Sequence, residues 1–462
     1  MIEFKDIKPI DHLFRFIVIL FAVLYLINSF VGSTTLTYIG AVLLLLILGR
    51  SFPKLKKVNF RVYSLLFIAG AILLFWSKAP LSTWAFALMK NANLVCLFTC
   101  APMISLPFFY EDYQSELKVV AQTKMRSLLG FCLLVGVCSH LLGVLISVAA
   151  LAIIYELLEP QAKLYDADDI FISSLTRGYS SSGFWSPAWA SMVLINSATS
   201  ISWLRLIPIG IAFSVIFILM DLGTVKWKMR KNPERYPLLT PDPDKQVHWS
   251  KVYTMLALAV LMISMIVIMN VITDWDLMVI IPFVALTFPI ISAVFQKHGA
   301  EYKQGMKKYY AKSLTKVQVE IGLYASAGFL GKALQVSGIG EKLPELIPDW
   351  LVNFPIGMSI CIMLIMILPA MLGIHPVVTG TALVASIIPE AFGLTEMTFV
   401  LIIITGWLLS TMCSPFTATS TLVSGCSGKP PWDIGLGLNG VFGAVAMVAF
   451  SAIIVLVGPL LG

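Results

Sequence analysis

A short polar segment broken by proline interrupts an apolar stretch at two places in this chain. The first copy runs from Trp185 to Leu194 (WSPAWASMVL) and the second from Cys413 to Leu422 (CSPFTATSTL). The matched positions are Gly178, Ser182, Ser186, Pro187, Ala190 and Leu194 in the first copy and Gly406, Ser410, Ser414, Pro415, Ala418 and Leu422 in the second. Proline removes a backbone donor and frees a carbonyl, so each segment predicts a broken helix.

The rest of the chain indicates that these breaks lie in a bilayer. Of its 462 residues, 58% are hydrophobic and 12% are charged, whereas soluble domains carry about 25% charged residues. Successive apolar runs are long enough to cross a membrane, which predicts an all-α polytopic membrane protein of about 11–12 spans. In such a protein, non-helical backbone must be buried in protein or line a wet cavity. The lipid bilayer of a cell membrane, inner or plasma, is the expected surrounding.

The net charge of +7 does not indicate a nucleic-acid partner, because the basic residues lie in short loops between apolar runs. This positive-inside pattern places the N-terminus (Lys5, Lys8 and Arg15) and the connections 50–61, 224–251 and 297–316 in the cytoplasm. It assigns to the opposite side the acidic residues Glu159, Asp166, Asp168, Asp274, Asp276, Glu341, Glu345 and Asp349.

Under this assignment the apolar stretches 127–157 and 354–388 begin on opposite sides, so the two halves are related by inversion. The predicted organisation is a leading helix over 1–35, a first repeat over 36–223, a cytoplasmic linker over 224–251 and a second, inverted repeat over 252–462. Matched interruptions in inverted halves are typical of secondary transporters, whose binding site lies at the repeat interface.

Both long stretches contain a histidine. Ser139-His140 interrupts the first, and His375 with its following proline interrupts the second. If each stretch folds back as a re-entrant hairpin, the two histidines lie near the tips. There a histidine can carry a proton or bind a carboxylate. The alternative is a polar residue packed in a helix bundle.

The broken helices offer two kinds of ligand. Hydroxyls beside freed carbonyls suit Na⁺, while amides at the start of a following half-helix suit an anion; the alternative is a helix interface rich in small hydroxyl residues. The candidate binding residues are Ser139, His140, Arg177, Ser182, Ser186, Pro187, His375, Ser410, Ser414, Pro415, Thr417 and Thr419. A possible Na⁺ site is assigned to Ser139, Ser186 and Ser414.

Charged residues inside the spans are few. Arg177 adjoins the first broken helix as either a substrate counter-ion or an interfacial residue. Lys90 and Lys332 lie in roughly equivalent elements, and snorkelling explains both. Because no acidic residue is placed at a span centre, with Glu320 only near a span end, coupling to Na⁺ is favoured over a carboxylate proton pump. Coupling to H⁺ stays open, and no other cofactor is predicted.

One stretch resembles a known group. The segment 409–419 (LSTMCSPFTAT), continuing to Pro431-Trp432-Asp433 and Gly437, resembles the broken helix and following helix of divalent anion:sodium symporters, the dicarboxylate and citrate permeases of the ion transporter superfamily. His375 falls where that group has a hairpin tip. The resemblance implies substrate or Na⁺ binding by Ser139, Ser186, Ser414 and Thr417, a homodimer, and an elevator-like motion.

The sequence therefore predicts a secondary active transporter of a small anion, an organic carboxylate, coupled to Na⁺ or H⁺. The alternatives are an ion channel or pore and an antiporter from another branch of the superfamily. An enzyme is not expected, because nucleotide-binding and metalloprotease motifs are absent from the sequence.

Overall fold

A computed structural model describes residues 8–55, 57–240, 242, 244–273, 275–314, 317–339 and 348–461. Within these ranges, nine helices are long and apolar enough to cross a membrane, and three shorter apolar helices accompany them. The predicted class, an all-α polytopic membrane protein, is confirmed. The predictions made for Lys5, Asp274, Glu341 and Glu345 lie outside the described residues.

The described part of the first half contains eleven α-helices. They are α1 (Pro9–Val31), α2 (Thr34–Ser51), α3 (Lys57–Trp76), α4 (Leu81–Leu88), α5 (Ala92–Ile104), α6 (Ser115–Lys124), α7 (Leu128–Ile146), α8 (Ala149–Leu164), α9 (Asp168–Ser181), α10 (Ala190–Ala198) and α11 (Trp203–Lys231).

The described part of the second half contains ten. They are α12 (Trp249–Ile272), α13 (Leu277–Phe295), α14 (Gly299–Lys308), α15 (Gln318–Ser337), α16 (Asp349–Val352), α17 (Pro355–Met371), α18 (Pro376–Ser386), α19 (Glu396–Cys413), α20 (Ala418–Ser427) and α21 (Leu438–Leu461).

Each half contains a helical hairpin, and the turn of each hairpin has a residue in the left-handed region. Helices α7 and α8 are joined through Ser147, with φ of 53°, and α17 and α18 through a turn containing Gly373, with φ of 90°. Glycine adopts this conformation without strain, whereas serine does so rarely. The two tips therefore lie at Ser147-Val148 and at Gly373 to His375.

This placement corrects one prediction. His140 and Ser139 lie inside a continuous α7, about two turns before the tip, so the expectation that they interrupt the helix near a hairpin tip is wrong. The helix does not need to break there, because both ring nitrogens of His140 bond to side chains of the neighbouring segment. His375 does lie at its tip, where it caps the start of α18. The two histidines are consequently not equivalent.

Each half also contains the predicted broken helix. The first is interrupted between α9, which ends at Ser181, and α10, which begins at Ala190. The second is interrupted between α19, which ends at Cys413, and α20, which begins at Ala418. Pro187 and Pro415 lie in these interruptions, which confirms the prediction drawn from the repeated motif. A hairpin and the broken helix that follows it are called a module below: α7–α10 form the first module and α17–α20 the second.

The two hairpins open at opposite ends of the molecule. Both ends of the first hairpin meet the central connection, because the amide of Leu239 donates to the Arg126 carbonyl at 2.9 Å and Arg235 pairs with Asp166 at 3.1 Å. The second hairpin ends just before Glu396, which accepts the amide of Ser200 at 2.9 Å. Ser200 and Arg235 lie at opposite ends of the 29-residue helix α11. This arrangement is the one expected of halves related by inversion; the residue boundaries proposed for the repeats stay predictions.

The ion pair of Asp166 overturns one part of the predicted orientation. Arg235 belongs to the connection assigned to the cytoplasm, and Lys429 also meets the start of α9 through Asp169 at 2.9 Å. The acidic segment around Asp166 and Asp168 therefore lies at the same end as the basic connection, so its assignment to the opposite side is wrong. The physical reason is the hairpin, which returns the chain to the end where it entered.

The two halves share one core. The ring of Phe184 in the first half stacks on Phe450 of α21, with centroids 5.3 Å apart, and Phe217 of α11 meets Phe442 edge-on at 5.0 Å. Away from the modules, α3 packs on α15 and α5 packs on α13. These four helices and their neighbours form a scaffold against which both hairpin tips rest.

Candidate substrate and ion site

The two modules contain the same hydrogen bond. The Ser186 hydroxyl donates to the Val144 carbonyl at 3.4 Å, and the Ser414 hydroxyl donates to the Ala370 carbonyl at 2.6 Å. Both carbonyls belong to the last turn of the first hairpin arm, and both serines precede the proline of the break. In each module this serine therefore ties the broken helix to the hairpin close to its tip.

A cavity of about 260 Å³ lies at the tip of the second hairpin. His375, Ser414 and Thr417 line it from the module, and α3 and α15 face them with Tyr63, Glu320 and Tyr324. His375 and Thr417 are the residues that precede the first turns of α18 and α20. Two helices thus begin at this cavity, and the positive ends of their dipoles favour an anion.

A second cavity, of about 350 Å³, lies at the tip of the first hairpin. Ser147 and Ala149 line it from the hairpin and Ala188 from the break between α9 and α10. Glu320 of α15 lines this cavity too, so one scaffold carboxylate borders the cavities at both tips. The two cavities occupy corresponding places in the two modules.

The sequence did not single out the residues that complete these cavities. Glu320 was noted only near a span end, and Tyr63, Ser147 and Tyr324 were not identified. No local pattern marks the two tyrosines, because they reach the cavity only through the packing of α3 and α15. Ser147 had a weak signal, a lone hydroxyl between the apolar runs of two consecutive helices.

A closed hydrogen-bond network occupies the inside of the first module. The indole N–H of Trp185 donates to Nε2 of His140 at 3.1 Å, so Nε2 carries no proton. The Nδ1 proton of the neutral ring then goes to the Ser181 hydroxyl at 2.9 Å, and that hydroxyl donates to the Gly178 carbonyl at 2.7 Å. His140 is therefore engaged entirely within the protein, and it lines neither tip cavity.

Arg177 is buried and cross-links three helices. Its guanidinium forms an ion pair with Asp221 of α11 at 2.7 Å and donates to the Asn439 side chain at 2.9 Å and to the Leu438 carbonyl at 2.8 Å. The ring of Phe442 covers the guanidinium at 4.1 Å. Of the two roles that the sequence left open, these contacts favour the interfacial one, because groups of α11 and α21 already satisfy the charge.

The other predicted hydroxyls mostly bond to backbone carbonyls. Ser182 donates to Tyr179 while accepting the indole N–H of Trp189, and Ser410 donates to Gly406. The Thr417 hydroxyl bonds to the Thr411 carbonyl at 2.7 Å. The Thr417 bond satisfies a carbonyl in the last turn of α19 that the helix break leaves without an intrahelical partner. The Ser182 and Ser410 hydroxyls instead bond to carbonyls three and four residues earlier in the chain.

Two further hydroxyls of the predicted set differ from these in their hydrogen bonding. The side-chain oxygens of Ser139 and Thr419 are buried and have no hydrogen-bond partner among the residues that the structure describes. Of the predicted set, then, the structure brings His375, Ser414 and Thr417 together at the second tip cavity, and the others line neither cavity. Binding by any of them, including Na⁺ at Ser139, Ser186 and Ser414, stays a prediction.

The chain matches no protein-family model and no curated protein. Among solved structures, it is similar to the YdaH transporter of Alcanivorax borkumensis, whose crystal structure is described as revealing an unusual topology. The identity is 12%, the match covers 87% of this chain and 97% of that chain, and the TM-score is 0.49. A similarity at this level carries no argument about function, which rests on the contacts above.

Proposed function

We propose that this chain is a secondary active transporter of a small organic carboxylate, coupled to Na⁺ or H⁺. The observation that carries the proposal is the pair of modules. Each ties a broken helix to a hairpin through one serine, and each opens a cavity toward the same scaffold residue, Glu320. Secondary transporters built from inverted repeats form their substrate and ion sites from such broken helices at the repeat interface.

The second tip cavity supports an anion as the substrate. Interaction of a negative charge with one helix N-terminus contributes about 0.3–1 kcal/mol at an exposed site and up to about 2 kcal/mol when partly buried. Both α18 and α20 begin there, and the Ser414 and Thr417 side chains are beside them. We assign the carboxylate group of the substrate to this cavity.

Glu320 supports coupling to a cation. Two like charges about 4 Å apart repel by about 4 kcal/mol at an effective dielectric constant of about 20. A carboxylate substrate in the second cavity would share that cavity with the Glu320 side chain, and a proton or Na⁺ that binds with the substrate would lower the repulsion between the two carboxylates. The coupling ion would then bind together with the substrate, as symport requires.

Uptake into proteoliposomes tests the proposal. The purified chain is reconstituted and given labelled mono-, di- and tricarboxylates, with Na⁺ and pH gradients imposed separately. We expect saturable uptake of at least one carboxylate that collapses when the driving gradient is dissipated. Uptake that does not saturate would support the channel alternative, and no gradient-dependent uptake of any carboxylate would refute transport of this class.

The variant Glu320→Gln identifies the role of the scaffold carboxylate. We expect it to abolish gradient-driven uptake while exchange of internal for external substrate persists, because the neutral side chain mimics the protonated state. Glu390→Gln is the matched control, since Glu390 is exposed and lies outside both cavities. Equal uptake in the two variants would remove Glu320 from the coupling mechanism.

A further inference from the structure

A third cavity lies in the scaffold, outside both modules. Its volume is about 500 Å³, larger than either tip cavity, and helices α1, α2, α4 and α15 contribute to its wall. The polar residues that line it are Tyr25, Asn28, Ser29, Thr37, Thr83, Lys90 and Lys332. The two lysines that the sequence explained by separate snorkelling thus meet in one cavity.

The backbone beside this cavity contains a break between two helices. Helix α4 ends at Leu88 and α5 begins at Ala92, so Lys90 lies in a non-helical turn inside a candidate membrane span. Asn91 fixes the turn by donating from its amide to the Tyr324 carbonyl at 3.2 Å. Such a turn is tolerated in a membrane where it is buried in protein or lines a cavity.

Two glycines make this close packing possible. A Cβ at Gly328 of α15 would lie 2.8 Å from Cγ of Asn91, and a Cβ at Gly40 of α2 would lie 2.7 Å from the Met89 methyl carbon. The residues on both sides of Lys90 are therefore packed against other helices. The position of Lys90 at the cavity follows from this packing and not from free movement of its backbone.

The lining of this cavity carries two positive charges, those of Lys90 and Lys332. None of the described residues that line it is acidic, and the contact of Lys332 is a hydrogen bond from its ammonium to the neutral Gln335 side chain at 3.0 Å. Cations within a membrane are costly and normally pair with an opposite charge or face water. Two of them in one cavity repel each other, so an anion between them lowers the free energy of both.

We propose that this scaffold cavity binds an oxyanion, a phosphate or carboxylate group held by the ammonium groups of Lys90 and Lys332. Lysine binds such groups as a point charge. Phe86 stands at the rim with 42% of its surface exposed on the apolar outside of the protein. Both an anionic phospholipid headgroup and a soluble anion supply the required chemistry, and the test separates them.

The lipid arm of the test measures phospholipid retained by the full chain. The protein is reconstituted in nanodiscs of phosphatidylglycerol and phosphatidylcholine, and bound lipid is quantified for the wild type, for Lys90→Gln and Lys332→Gln singly, and for both together. At about 1 kcal/mol per lysine, we expect the preference for phosphatidylglycerol to fall roughly fivefold in each single variant and roughly thirtyfold in the double variant.

The soluble arm uses lipid-depleted protein in detergent. Inorganic phosphate and succinate are titrated, and stabilisation against thermal unfolding is recorded for the same variants. A response in the lipid arm alone identifies a headgroup site, and a response in the soluble arm alone identifies a free-anion site. Either result supports the proposal, provided that the double variant loses the response.

Two controls keep the outcome interpretable. Lys78→Gln removes the same charge from an exposed turn outside the cavity, and we expect it to behave as the wild type. The double variant Lys90→Arg with Lys332→Arg keeps both charges. If it retains the anion response, the loss in the glutamine variants is due to the missing charge and not to misfolding. The proposal is overturned if the wild type and the folded double glutamine variant respond alike in both arms.

Discussion

The first and second modules have the same backbone plan but use their polar side chains differently. In the first, the indoles of Trp185 and Trp189 donate to His140 and Ser182, and Arg177 is held by the adjoining helices. In the second, Ser414 and Thr417 bond to backbone carbonyls at the edge of a cavity where two helices begin. The first module is therefore a cross-linked block, and the second is the better candidate for the anion.

The comparison teaches what the repeated motif encodes. Serine and threonine recur beside the prolines because a broken helix leaves carbonyls that need donors. That requirement is met in both copies, whether or not a ligand binds. The motif therefore locates the breaks, while the composition around each break determines what the module can hold.

The largest effect is expected from the ion pair that braces the first module. Asp221→Ala leaves the Arg177 charge buried without its carboxylate partner, which costs about 3–5 kcal/mol of unfolding free energy. The position in the second module that matches Arg177 is Thr405, whose hydroxyl bonds to its own helix at the Leu401 carbonyl. Thr405→Ala should cost about 1 kcal/mol. Thermal unfolding in detergent measures both.

A double variant sharpens this first test. Arg177→Met with Asp221→Leu removes both charges, and we expect it to recover most of the stability lost by Asp221→Ala. If Asp221→Ala and Thr405→Ala cost the same, the ion pair does not distinguish the modules.

The next largest difference in stability is expected between alanine variants of the matched glycines Gly178 and Gly406. A Cβ at Gly178 would lie 2.5 Å from the Gly136 carbonyl oxygen, so Gly178→Ala should cost about 3 kcal/mol through overpacking of rigid backbone. At Gly406 the nearest atom is the flexible Met366 sulfur, at 3.0 Å. There the gain in helix propensity, about 1 kcal/mol, offsets the crowding, and Gly406→Ala should be nearly neutral. Equal shifts in melting temperature would contradict the difference in packing.

A smaller effect is expected from the paired serines. Ser414→Ala removes a 2.6 Å bond to Ala370 and the acceptor for the Phe416 amide, which should cost about 1.5 kcal/mol. Ser186→Ala removes a bond of 3.4 Å and should cost under about 0.5 kcal/mol. Carboxylate uptake should fall in the Ser414 variant and persist in the Ser186 variant. The reverse order would move the anion site to the first module.

The smallest effect concerns the ion pair between Asp169 of the first module and Lys429, which follows the second module. The hydrogen bond to Asp169 raises the pKa of Lys429 above its ordinary value of 10.5. The ion pair therefore contributes its whole stabilising free energy at neutral pH. This contribution is lost only as the pH rises through the raised pKa of Lys429. Because both side chains are exposed, Lys429→Met should cost under about 1 kcal/mol at pH 7.

Salt and pH titrations of unfolding check this last prediction. The difference between the wild type and Lys429→Met should shrink in high salt and stay constant between pH 7 and pH 9. Asp169→Asn is the matched control and should remove the difference. A contribution that changes between pH 7 and pH 9 would mean that another group titrates at this end.

The sequence predicted what depends on local chemistry. Pro187 and Pro415 break helices wherever they are packed, and so both breaks were found. The prediction that His140 interrupts its helix was wrong. A histidine inside an apolar run suggests an interruption as long as its hydrogen-bond partners, Ser181 and Trp185, are not known. Glu320 could not be recognised, because its place between two cavities depends on how α15 packs against tips that are distant in the chain.

The cross-links of Arg177 have a consequence for the making of the protein. Asn439, one of its hydrogen-bond partners, is 262 residues further along the chain. At about 5–20 residues per second, a ribosome needs roughly 13–50 s to reach it. Asp221 is only 44 residues away, so it is synthesised within roughly 2–9 s of Arg177. The ion pair can thus neutralise the guanidinium of a newly inserted first half while the helix that completes its surroundings is still to be synthesised.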